Sequence, residues 1–244
     1  MVNLFTLGFD FWWKEEILTL IPSFPRQVID QACGTGILTI KIARRFPNCR
    51  VIGVELREEY LSLAKQKTMN LTLRNVEFII GRAEEVYLKQ QFDCITSSYL
   101  AKYAELEALV KNARKMLRKN GVLILHDFTY PNSPLFLRVW KLLFKFMQLA
   151  GSLFFPEWNT VFYDLPEFLG KTKWVRELVF LLQANAFTAI RVQPLFMNYL
   201  NHNFGKSGLS SKPRDLSHYF AIRQITIPMP KTRTPRLMLL RMAS

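Results

Sequence analysis

Between residues 27 and 128, short apolar runs alternate with longer stretches whose apolar residues recur every three or four positions. The runs at 27–30, 50–55, 76–80, 93–97 and 121–127 are rich in Val and Ile and end at glycine or polar residues, which predicts β-strands. Residues 36–45, 58–70 and 104–118 carry helical spacing. Leu61, Leu63 and Ala64 in one stretch, and Ala104, Leu106, Leu109, Val110, Ala113 and Leu117 in another, are the expected buried faces. Strands that alternate with helices need crossover connections, so the pattern predicts an α/β fold with a mainly parallel sheet covered on both faces. Asn120-Gly121, coming after Arg118 and Lys119, predicts a helix stop with a strand following at once. Residues 166–184 read as a further helix and 188–195 as a strand that continues the sheet. After Asn201 the periodicity collapses into Ser, Lys, Arg and Pro, and only 219–227 is compatible with a strand. This divides the chain into a domain over 1–200 and a basic, Pro/Ser-containing tail over 201–244, expected to be partly disordered.

Composition narrows the class. The chain has 244 residues, half of them hydrophobic, enough for one substantial core. Three cysteines without a CxxC pair argue against a disulfide framework and against a zinc site. Of the net charge of +14, half lies in residues 201–244, where eight basic residues face one acid. That tail lacks the interleaved aromatics that stack bases, so nucleic acid is not the expected substrate. The first residues carry no positive charge and are followed by Asp10, Glu15 and Glu16, so secretion is not expected and a cytoplasmic location is. The most apolar stretch, 135–158, is interrupted by Arg138, Lys141 and Lys145 and is too short in its uncharged part to cross a bilayer. Those cations lie at i, i+3 and i+7 on an otherwise apolar helix. Such a helix could cap a pocket, or it could lie at a membrane surface as a peripheral contact.

The chemistry concentrates in Val28-Ile29-Asp30-Gln31-Ala32-Cys33-Gly34-Thr35-Gly36, which places a strand, a carboxylate, a tight glycine turn and a helix start in that order. Gly34 and Gly36 permit close backbone approach to a ligand. The loop after the first strand of a parallel sheet lies where such sheets bind ligands. Glu55 ends the second strand, where an acidic side chain can accept hydrogen bonds from both hydroxyls of a ribose. A dinucleotide fingerprint would require glycine at position 39, and Thr39 stands there. Asp30 is instead placed to hold the ammonium side of S-adenosylmethionine (SAM), with Gly34, Gly36 and Glu55 completing the cofactor set. The competing reading is a plain turn beside a solvated strand end.

These residues resemble the class I SAM-dependent methyltransferases, and most of all the ubiquinone/menaquinone-biosynthesis C-methyltransferases. Phe5-Thr6-Leu7-Gly8 with Trp13-Lys14 is similar to that family's entry segment, Asp30 to Gly36 to its D-x-A-x-G-T-G loop, and Phe92-Asp93-Cys94-Ile95-Thr96 to its fourth strand. Met116 to Gly121 and Asp127-Phe128-Thr129-Tyr130-Pro131 match two further family segments. The resemblance implies a Rossmann-like fold with a seven-stranded sheet and methyl transfer from SAM to a hydrophobic small molecule such as a prenylated quinol precursor. It also implies cofactor contacts from Ala32 and Cys33 in the loop, Leu56, Arg82 and Ala83, and Ser97. Asp127 and His126, at the end of the fifth strand, are the candidate proton acceptors for activating an aromatic carbon. Alternation along a strand lets at most one of them face the pocket, and the competing reading of His126 is a core histidine. Two positions depart from the family. Arg82 replaces an Asp that accepts a bond from the adenine amino group, and Lys102-Tyr103 replaces Arg-Asn. The alternatives are therefore a methyltransferase for another lipid or phenolic acceptor, or a methyltransferase-like binding protein that no longer catalyses.

Overall fold

A computed structural model describes residues 9–130, 134–154, 159–194 and 220–226. Five strands, β1 (Gln27–Gln31), β2 (Arg50–Glu55), β3 (Val76–Ile80), β4 (Phe92–Ser98) and β5 (Leu117–Phe128), form a parallel sheet in the order β3-β2-β1-β4-β5. The chain steps outward from β1 through β2 to β3 and then crosses back to β4 and β5 on the other side of β1, and this single reversal opens a crevice at the carboxyl ends of β1 and β4. The sheet continues past β5 with the antiparallel β7 (Phe220–Thr226) and the two-residue β6 (Gln193–Pro194). Residues 220–226 belong to what the sequence suggests is an appended tail, yet here they pair with β5 along its whole apolar stretch.

Alternation along the strands sends successive side chains to opposite faces, and both faces are dry. On one, Val28, Val51, Cys94, Val122 and Ile124 pack against Trp13, Ile17 and Leu18 of α1 (Phe9–Leu20) and Leu38 and Ile42 of α2 (Ile37–Arg45). On the other, Ile29, Ile52, Ile95, Leu123 and Leu125 pack against Leu106, Val110 and Ala113 of α4 (Leu106–Met116) and Trp174, Leu178 and Leu182 of α7 (Trp174–Ala184). Helix α3 (Glu58–Asn70) covers β2 and β3 through Leu61 and Ala64; Leu63, expected on its buried face, is exposed. Helices α5 (Pro134–Phe154) and α6 (Asn159–Lys171) follow β5 and pack on each other through Phe144, Leu165 and Leu169.

Several boundaries differ from the pattern-based expectation. Helix α1 carries no strand-helix alternation that would announce it, although Trp13, Ile17 and Ile21 recur at helical spacing and are buried. Helix α4 ends at Met116, and Leu117 already pairs with Phe92; the Asn120-Gly121 turn then sits inside β5, where the register shifts and Asn120 takes φ 63°. The expected helix over 166–184 is two helices. Pro166 lies within α6, and the break falls at Thr172-Lys173, where Thr172 Oγ1 accepts the N–H of Trp174 (3.3 Å). The expected strand over 188–195 shrinks to Gln193–Pro194, because Ala186 and Ala189 adopt φ 58° and 53° and break the extended run. The entry motif at Phe5 to Gly8, Pro131, Trp158, Leu195 and the tail apart from 220–226 lie outside the described residues.

Candidate functional site

At the end of β1 the chain leaves the sheet through backbone that only small residues accept easily. Ala32, Gly34 and Gly36 have φ of 54°, 55° and 78°, and the turn closes with the N–H of Gly36 donating to Cys33 O (3.0 Å). Gly36 then starts α2, its carbonyl accepting from Ile40 N. The two glycines have different reasons to be there. A Cβ on Gly36 would lie 2.9 Å from Ala64 Cβ, so its absence lets α3 pack against the loop. A Cβ on Gly34 would meet nothing within 4 Å, so its absence serves no packing and leaves the backbone open to a ligand.

Glu55 joins this loop from the neighbouring strand. Its side chain is buried, Oε2 accepts the N–H of Gly34 (2.9 Å) and Oε1 that of Arg57 (2.9 Å). The loop glycine and the carboxylate therefore meet at one point on the carboxyl edge of the sheet. Asp30 lies deeper and is almost wholly buried. Its Oδ2 accepts from Thr39 Oγ1 (2.7 Å) and its Oδ1 from Thr96 Oγ1 (2.9 Å), the second contact following from the β1/β4 register that pairs Asp30 with Thr96. Burial raises the Asp30 carboxyl to about 6, against the lowering effect of the two threonine bonds and the positive charge of Lys14. Thr39, at the position that excludes a dinucleotide fingerprint, is thus one of the two clamps on Asp30. Its hydroxyl in the first turn of a helix, nine residues after a buried Asp, is a signal that sequence could have offered.

The remaining expected cofactor contacts are spread unevenly. Cys33 is buried, its thiol pushed up by burial and by the charges of Asp30 and Glu55. Ala83 is buried and its carbonyl accepts from Gln31 Nε2 (3.2 Å) and Asn112 Nδ2 (3.5 Å). Gln31 Oε1 and Ser97 Oγ, paired across β1 and β4, are buried without a hydrogen-bond partner among the described residues. Buried polar atoms left unmatched at a sheet edge are what a polar ligand would satisfy. Leu56 is exposed, and the Arg82 guanidinium points to Glu85 (3.4 Å) and Glu84 (4.0 Å).

A second polar cluster lies under the ends of β4 and β5; it joins the predicted His126 and Asp127 to Asp10, Lys14, Tyr99 and Lys102, partners the sequence-based site does not include. Tyr99, at φ 66°, donates from its hydroxyl to Asp10 Oδ1 (2.6 Å), which also pairs with Lys14. The Tyr99 ring stacks on Phe128 (5.0 Å) and tilts against His126 (4.9 Å). His126 is completely buried between Tyr99 and Trp13, and burial together with Lys14 and Lys102 holds its proton affinity well below the usual imidazole range. Its ring faces α1, and neither ring nitrogen has a hydrogen-bond partner among the described residues. Asp127 points to the other face, where Oδ1 takes Lys102 Nζ (2.5 Å) and Phe128 N (2.7 Å) and Oδ2 takes Lys102 N (3.0 Å). Burial draws the ammonium down and the carboxyl up, against their mutual attraction. Asp127, expected as a proton acceptor, is thus paired with the Lys102 ammonium and with the backbone N–H groups of Lys102 and Phe128. The i,i+4 spacing of Asp10 and Lys14 was the legible trace of this cluster.

The loop, Glu55 and the strand order together are the arrangement of one fold family, and residues 26–152, more than half of the chain, match the family model described as a methyltransferase domain. The chain belongs to that family. The chain is 29% identical over 136 residues to the ubiquinone/menaquinone biosynthesis C-methyltransferase of Rickettsia prowazekii, covering 53% of this chain and 55% of that protein. The matching region thus spans about half the length of such curated relatives. The chain is also 24% identical over 166 residues to the demethylmenaquinone methyltransferase of Thermotoga maritima, covering 66% of this chain and 70% of that protein. The chain's fold is similar to that of Haemonchus contortus phosphoethanolamine N-methyltransferase 2, solved with phosphomonomethylethanolamine and S-adenosylhomocysteine, at TM-score 0.59 and 14% identity over 89% of this chain and 52% of that one.

Proposed function

We propose that this protein is a SAM-dependent methyltransferase that acts on a hydrophobic small molecule, with prenylated quinol precursors as the favoured acceptor class and C-methylation as the reaction. The observation that carries the reading is the meeting of Glu55 with Gly34 beside a loop position whose missing Cβ leaves open space. Glu55 would accept the ribose hydroxyls on the lone pairs that its bonds from Gly34 N–H and Arg57 N–H leave free. Asp30, clamped by Thr39 and Thr96, keeps one lone pair on each oxygen for the ammonium end of the cofactor and holds the loop in register. Gln31 Oε1 and Ser97 Oγ are two of the unmatched buried atoms on the same edge. When bound, SAM supplies an electrophilic methyl group. The protein's task is then to align a nucleophilic carbon and keep water out. Tyr130, Trp140 and Phe144 pack together where the chain leaves β5 and supply an apolar wall suited to a lipid-tailed acceptor. The two quinone-pathway relatives support that acceptor class.

One observation favours a second reading, a methyltransferase-like binding protein: Arg82 replaces a hydrogen-bond acceptor and engages Glu84 and Glu85. Calorimetric titration with S-adenosylhomocysteine separates the two. Micromolar binding that Glu55→Ala weakens at least about tenfold, or roughly 1.4 kcal/mol, supports the enzyme, and incubation with labelled SAM and demethylmenaquinone should then label the quinol. Absence of binding would leave the second reading standing.

A further inference from the structure

Helix α5 is apolar over an arc of about 220°, and only part of that arc is used by the fold. At 3.6 residues per turn, Phe144, Trp140, Leu143 and Met147 share the side that faces the protein, where Phe144 is buried with Leu165 and Leu169 and Trp140 packs on Tyr130. On the side turned away, Val139, Leu142, Phe146 and Leu149 follow one another at steps of three, four and three residues, within an arc of about 80°. They are 57%, 70%, 66% and 73% exposed. A row of four large apolar side chains held in water by a folded helix is an unfinished interface, because burial of each would be favourable. Arg138, Lys141 and Lys145, all exposed, line one edge of that row, and α5 contains no acidic residue.

We infer that the outward face of α5 docks on an anionic lipid bilayer, with the apolar row in the acyl boundary and the three cations at the headgroups. The combination of an apolar row with a flanking basic stripe is what interfacial helices use, the basic stems reaching up to the phosphates while the apolar residues sink. No helix among the described residues is long and apolar enough to cross a membrane, so the contact lies in the plane of the surface. A second copy of the chain fits this face poorly. A symmetric contact would set the cationic edge of one helix near that of another in a protein of net charge +14, whereas an anionic surface attracts each such cation roughly fivefold in partitioning. The placement has a consequence for the site. Helix α5 leaves the sheet just after β5, at the carboxyl edge where the loop and Glu55 lie, so its inner face walls the candidate acceptor space while its outer face would touch lipid. The inference does not require methyl transfer and stands or falls separately from it.

The test is flotation of the full chain with vesicles of phosphatidylcholine alone and with about 30 mol% phosphatidylglycerol added, a composition whose surface charge attracts basic segments. Leu142→Glu/Phe146→Glu is compared with wild type after matching melting temperatures show that both are folded. The expected result is partitioning to anionic vesicles at least about tenfold above neutral ones, and a further loss of about tenfold or more in the double variant. The loss should persist at about 0.3 M salt, where the Debye length falls below about 8 Å and purely electrostatic attraction by the basic tail is screened. Flotation of the double variant at the wild-type level would overturn the inference. So would failure of the wild type to float with either vesicle, or a wild-type dimer that the double substitution dissociates while neither form floats.

Discussion

Replacing Gly36 with alanine would put a methyl carbon 2.9 Å from Ala64 Cβ and 3.4 Å from Ala64 Cα, on a residue whose φ is already 78°. The left-handed backbone costs an alanine about 1 kcal/mol. The collision is with a helix backbone that cannot swing aside, so overpacking adds about 1–3 kcal/mol. Gly34→Ala is the control within the same loop. It meets the same backbone penalty at φ 55° and no neighbour within 4 Å. Urea unfolding should therefore show Gly36→Ala less stable than Gly34→Ala by about 1–3 kcal/mol, a difference of roughly 2–12 °C in melting temperature for a domain of this size. The order reverses for ligand. The Gly34 methyl would occupy the space open to the cofactor, so calorimetry with S-adenosylhomocysteine should show a loss of about tenfold or more for Gly34→Ala, beyond any effect of its small destabilisation. Equal stability of the two variants would refute the steric assignment of Gly36. Undiminished binding by folded Gly34→Ala would refute the placement of the ligand on this loop.

Three other outcomes are expected. Lys102→Met strands the Asp127 carboxylate in a dry site and should cost about 3–5 kcal/mol in urea unfolding. Lys102→Met/Asp127→Asn should recover part of that loss, and strict additivity of the two single changes would contradict the pairing. Asp30 should make the protein less stable as pH rises. Its folded value near 6 exceeds the ordinary value of 3.8, so the stabilisation is complete below about 4 and is lost as pH climbs through 6. The size is about 3 kcal/mol from the shift. The difference in unfolding free energy between wild type and Asp30→Asn, measured from pH 4 to 7, should show this fall, and a flat difference would count against the burial of an ionising carboxyl. Finally, Cys33, Cys49 and Cys94 are buried free thiols, Cys49 being raised to about 11. Ellman's reagent at pH 8 should find them silent in the native protein and all reactive in guanidinium; fast native labelling at Cys94 would mean that the sheet is not packed as described.

Sequence alone determined the parallel α/β core, because the switch between two-residue and 3.6-residue periodicity is a local property of the chain and five strands lie where that switch puts them. It also located Asp30, the two glycines and Glu55, since a tight turn after a strand and an acid one strand later are readable as spacing. Only the tertiary structure could decide what those groups touch. The clamp of Thr39 and Thr96 on Asp30, the different duties of Gly34 and Gly36, and the commitment of Asp127 to Lys102 all join residues 9 to 66 positions apart. The same holds for 220–226, whose strand character the sequence allows but whose place beside β5 it does not show. The physical reason is shared. Periodicity records which face of an element is apolar, whereas the partner of a buried polar group is set by strand register and helix packing, and neither is written in any one segment.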